Sequence, residues 1–89
     1  MKIVINDCFG GFSLPKEFCD KYHIDRYDDI ERNDKRLINF LESFSEYTIG
    51  SFSKLIIVDI PENATDYMIF EYDGAEGIYY VVDGKIYEA

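Results

Sequence analysis

The chain has no tryptophan, one histidine, two cysteines and, over residues 55–89, a single basic residue. It also lacks any apolar run near the ~18 residues that a membrane-spanning helix needs, so no span is expected. The N-terminus is a lysine and a short β-like run, with neither a long apolar region nor a small-residue cleavage site. It does not read as a secretory signal, and the expected compartment is the cytoplasm. In that compartment two cysteines are expected as thiols or metal ligands, since cellular reductants keep cytosolic thiols reduced. There is no CxxC pair, no GxxxxGK[ST] and no GxGxxG, so the motifs that cradle phosphates or grip zinc most recognisably are missing. Repeats, linkers and low-complexity tracts are also missing.

What is present suits one domain over residues 1–89, with 47% hydrophobic residues and eight tyrosines and seven phenylalanines to fill a modest core. The net charge of −9 is unevenly placed. Acids and bases nearly balance over residues 1–54, whereas residues 55–89 hold Asp59, Glu62, Asp66, Glu71, Asp73, Glu76, Asp83 and Glu88 against Lys85 alone. Direct binding to DNA or RNA is disfavoured, because phosphate neutralisation needs clustered Lys and Arg. A basic partner is favoured instead.

KIVIN (2–6) reads as a buried strand ending at Asp7-Cys8. In the following FGGF (9–12) the glycines are expected to turn the chain sharply, with Phe9 and Phe12 packing on either side. A short helix is expected over 15–22: Phe18 and Tyr22 share a face, Pro15 suits a first helical position and Ser13 is a nearby cap. After a polar connector, Asn33 or Asp34 caps a second helix that carries Leu37, Ile38, Leu41, Phe44 and Tyr47 at helical spacing, with Gly50 as its left-handed cap. KLIIVDIP (54–61) and YMIFEYDG (67–74) read as strands, and IYYVV-DG-KIY as a hairpin with a type I′ turn at Asp83-Gly84. The expected class is α+β: one N-terminal strand, two helices, then a mainly antiparallel C-terminal β-meander, with the helices packed on one face of the sheet.

Two constellations carry chemistry. Cys19 and His23 stand one helical turn apart with Cys8 at the nearby strand end, a donor set suited to structural zinc, with Asp20, Asp25, Asp28 or water as a fourth ligand. The plainer reading makes both cysteines small buried hydrophobes and His23 a cap at the helix C-terminus. A Cys–His hydrolase is disfavoured by the lack of an oxyanion hole or a third orienting group. The second constellation is the acidic C-terminal half, where tyrosines alternate with carboxylates. Such a surface can imitate nucleic acid to a basic groove, with carboxylates standing in for phosphates and rings supplying stacking contacts. Tyr67, Glu71, Asp73, Glu76 and Asp83 are the expected partner-binding residues. The competing reading is a solvated acidic rim with half-buried cross-strand tyrosines.

MKIVINDCFGGFSL (1–14), DDIERNDKRLINFLE (28–42) and KLIIVDIPENATDYMIFEYDG (54–74) resemble a family of small phage and prophage proteins. Its members open with MKIVIN and a Cys-aromatic-Gly-Gly-Phe corner, and later carry a segment similar to LKIVEIPDD and an EEYDG-like end. This chain departs at Leu14-Pro15, where many relatives have Leu-Ser, which implies a different cap on the first helix. Some members of this kind of family look like anti-CRISPR inhibitors of type II effectors. The resemblance implies that context and no particular interface. Together with the acidic C-terminal half and the lack of a catalytic constellation, it leads to the expectation of a non-enzymatic phage protein in the host cytoplasm, whose partner is a host CRISPR effector nuclease. The alternative is a zinc-stabilised phage accessory protein with another host target.

Overall fold

The computed structural model describes residues 1–8, 12–25, 28–43, 47–49 and 53–89, with the backbone alone for 47–49 and 53. The elements run β1 (Lys2–Asn6), α1 (Lys16–Tyr22), α2 (Lys35–Glu42), β2 (Tyr47–Ile49), β3 (Ser53–Asp59), β4 (Asp66–Tyr72), β5 (Ala75–Val82) and β6 (Lys85–Glu88). This is the expected α+β class, with one N-terminal strand, two helices and antiparallel strands after them. The strands form two three-stranded sheets, ordered β1-β3-β2 and β4-β5-β6.

The first sheet is the middle of three layers. Val4 and Leu55 point to one side and pack with Leu14, Phe18, Cys19, Leu37, Ile38 and Leu41 from the helical layer. Ile3 and Ile5 point to the other side, where Ile56, Val58 and Ile60 join them against Ile78, Tyr67, Ile69 and Tyr80 of the second sheet. Because both faces are covered, the centres of β1 (Ile3–Ile5) and β3 (Leu55–Val58) are unbroken apolar runs, a pattern more usual in parallel sheets than in antiparallel ones. Adjacent residues in a strand face opposite ways, so one short run feeds two cores.

α1 starts after Pro15, which occupies the N-cap position with φ −60° and ψ 141° and gives no side-chain cap bond. Ser13 is buried and does not cap it. The helix ends at His23, whose left-handed φ of 57° lets its N–H and that of Ile24 reach the Cys19 carbonyl. Asp34 caps α2 by accepting from the backbone N–H groups of Arg36 at 2.8 Å and Leu37 at 3.4 Å.

α2 is shorter than its apolar spacing predicts: it ends at Glu42, with Ser43 as C-cap, and Tyr47 instead opens β2. β2 lies antiparallel to β3, with Tyr47 opposite Leu55 and Ile49 opposite Ser53. Thr48 and Ile49 are β-branched, and the ladder offered by β3 outcompetes helical continuation. Phe9, Gly10 and Gly11 of the corner, with Phe44 and Gly50, lie outside the described residues. Both C-terminal hairpins are tight. Asp73-Gly74 has φ of 53° and 88° and Asp83-Gly84 has φ of 51° and 74°, the signature of type I′ turns.

Candidate functional site

The second sheet has two unlike faces. Tyr67, Ile69, Ile78 and Tyr80 turn inward onto β1 and β3. The register sets Met68 beside Tyr79 and Phe70 beside Gly77 across β4 and β5, and Val81 beside Ile86 across β5 and β6. These outward positions are largely apolar, and Met68, Tyr72 and Ile86 are 61%, 76% and 72% exposed. A shallow hollow of about 400 Å³ lies on this face, lined by Asp66, Tyr67, Met68, Tyr79, Val81 and Ile86. Phe70 lies over Gly77, and its ring stacks on Tyr79 with centroids 4.6 Å apart.

The five expected contact residues do not form one cluster. Glu71 and Asp73 are exposed at one end of the sheet, and Asp83 is exposed in the turn at the other. The two turns bracket the eight residues of β5, which puts them about 27 Å apart at the usual strand rise. Tyr67 is half-buried on the inward face opposite Tyr80. Glu76 departs furthest from expectation. Its side chain is only 6% exposed and accepts from Arg32 Nη1 at 2.7 Å and Nη2 at 2.9 Å, so it is held inside the fold rather than offered to a partner.

Arg32 and Asn6 organise that junction. β1 is an edge strand of its sheet, yet Val4 donates its N–H to the Arg32 carbonyl at 2.7 Å, and the Val4 carbonyl accepts from Arg32 Nη1. Asn6 donates its N–H to Glu76 Oε1 at 2.8 Å. The edge is thus closed by side chain and connector, which removes a template for strand pairing. The guanidinium also lies 3.6 Å from the Phe12 ring centroid. The fully buried Asn6 amide donates to the Cys8 and Gly74 carbonyls, each at 2.7 Å, and accepts from the Lys54 N–H at 3.1 Å. Neither residue carries a local sequence signal: Asn6 ends an apolar strand and Arg32 sits in a polar connector.

The metal candidates are set apart by their surroundings. Cys19 is buried in the helical core, Cys8 Sγ donates to Asn6 Oδ1 at 3.6 Å, and His23 is exposed at its cap. No disulfide joins the cysteines. Among the described residues, no three His, Cys, Asp or Glu side chains group so as to hold a metal ion.

Electrostatically, every acid from residue 55 onward is exposed except Glu76. Among the described residues, Asp66, Glu71, Asp73, Asp83 and Glu88 take part in no salt bridge. The second sheet therefore carries an apolar outer face with unneutralised carboxylates at its edges and turns. No described helix is long and apolar enough to cross a membrane.

Fold and site together define a three-layer α+β domain that presents an acid-rimmed apolar sheet. No protein-family model matches the chain, and neither a curated protein nor a solved structure matches it.

Proposed function

We propose that this chain is a non-catalytic phage protein that binds a basic, nucleic-acid-binding surface of a host protein, and that its partner is a type II RNA-guided DNA nuclease. The observation that carries this reading is the exposed acid set around the second sheet, opposed by Lys85 alone. Such an effector holds its heteroduplex and displaced strand in positively charged channels, and an acidic protein seated in one excludes DNA. Aromatic and aliphatic anchors supply affinity, while charge speeds encounter and fixes orientation. The resemblance to prophage inhibitors selects this partner from other basic proteins. The buried surroundings of Cys19 and the exposed position of His23 give the zinc-stabilised alternative no added support.

The test is target-DNA cleavage by effector–guide complexes with the protein added before or after DNA. Inhibition only on prior addition, weakening as salt rises, is the expected result. Full cleavage by every effector tried overturns the nuclease as partner.

A further inference from the structure

The first sheet is covered by helices on one side and by the second sheet on the other, but the outer face of β4-β5-β6 has no covering layer among the described residues. A solvated antiparallel face ordinarily alternates polar side chains outward. Here the outward positions include Met68, Phe70, Tyr79, Val81 and Ile86, made neighbours by the strand register. Contiguous apolar patches rimmed by polar groups mark contact sites.

We infer that this outer face is the docking surface, and that it receives a basic protein segment presenting large apolar side chains between lysines or arginines. The charge pattern selects this occupant. Asp66 stands at the hollow and Glu88 opposite Tyr79, while Asp73 and Asp83 cap the two ends. A second copy would bring the same carboxylates against themselves, and an anionic lipid surface would meet them with like charge. A basic segment neutralises the rim while its apolar side chains fill the hollow between Met68, Tyr79, Val81 and Ile86. This inference deepens the proposed function and rests on its premise of a basic partner.

The test uses the full chain and a synthetic amphipathic peptide with leucines on one face and lysines on the other. Met68 and Ile86 are mostly exposed, so Met68→Ser with Ile86→Ser leaves the cores intact, which the thermal midpoint verifies. Amide chemical-shift changes are expected at Met68, Tyr79, Val81 and Ile86. The double variant should bind at least tenfold more weakly, and a peptide with glutamates for lysines should not bind. Undiminished binding by the variant, or shift changes on another surface, overturns the docking face. So does self-association of the wild-type chain in sedimentation that the variant abolishes, since the occupant is then a second copy. Running the variant in the cleavage assay separates the two proposals. Equal inhibition by variant and wild type overturns the docking face alone, whereas peptide binding at this face without inhibition of any effector overturns the nuclease partner alone.

Discussion

Arg32 and Glu76 meet through two parallel hydrogen bonds, Nη1 to Oε1 at 2.7 Å and Nη2 to Oε2 at 2.9 Å, with the glutamate side chain 6% exposed. Their junction ties the connector before α2 to β5, and through Val4 and Asn6 it also closes the edge of β1. An acid counted from sequence as surface charge is thus part of the framework.

Removing Arg32 leaves a buried carboxylate without its cation, so Arg32→Ala should destabilise the fold by about 3 kcal/mol in urea titrations. Replacing both partners with apolar residues should not restore stability, because the Asn6 N–H would lose its acceptor. Full recovery in that double variant would show that the pair is dispensable.

Gly77 lies beneath the Phe70 ring, and a Cβ there would stand 2.3 Å from Phe70 Cζ. Gly77→Ala should push the ring off and weaken its stack on Tyr79, costing about 1 kcal/mol. With Phe70→Ala already in place, the same change should be neutral or stabilising by about 0.5 kcal/mol, since alanine restricts the unfolded chain. A double-mutant cycle by thermal or urea unfolding measures the difference.

The Arg36 guanidinium and the N–H groups of Arg36 and Leu37 hold the Asp34 carboxyl below its ordinary value of 3.8. A group depressed on folding stabilises at pH above its unfolded value and loses that contribution as pH falls through the folded one. Stability should therefore decline below about pH 4 partly through Asp34. Asp34→Asn should keep the cap while removing this part of the acid dependence, and Asp34→Ala should cost about 1 kcal/mol at neutral pH. Unfolding midpoints across the acid range decide it.

Charge reversal at Glu71, Asp73 and Asp83 should slow association with a basic effector about tenfold at low salt and flatten its salt dependence. Glu76 is left out of this set, because Glu76→Lys would place two cations in the Arg32 junction. Stopped-flow association at two ionic strengths is the measurement; unchanged rates remove the acidic-surface reading.

Much of the local structure was legible because it depends on neighbours in the chain. Asp34 caps α2 with its own side chain, and Asp-Gly forms type I′ turns because both residues accept positive φ. The hairpin at Asp83-Gly84 was read from that dipeptide, the one at Asp73-Gly74 was found in the structure to obey the same rule, and the overall α+β class follows from element order. The end of α2 was not legible, since the three-residue step from Phe44 to Tyr47 continues the helical spacing in sequence while Tyr47 is equally acceptable in a strand, and only the ladder with Leu55 decides.

By itself the sequence determined the α+β class, the elements other than β2 and the end of α2, and the excess of acid over residues 55–89. Tertiary structure alone decided that the strands divide into two sheets, that Glu76 is drawn inside by Arg32, and that Met68 and Ile86 face outward. The physical reason is that local propensity and turn chemistry act over a few residues. Burial and ion pairing instead depend on which surfaces meet, and Arg32 and Glu76 are brought together across 44 positions of chain.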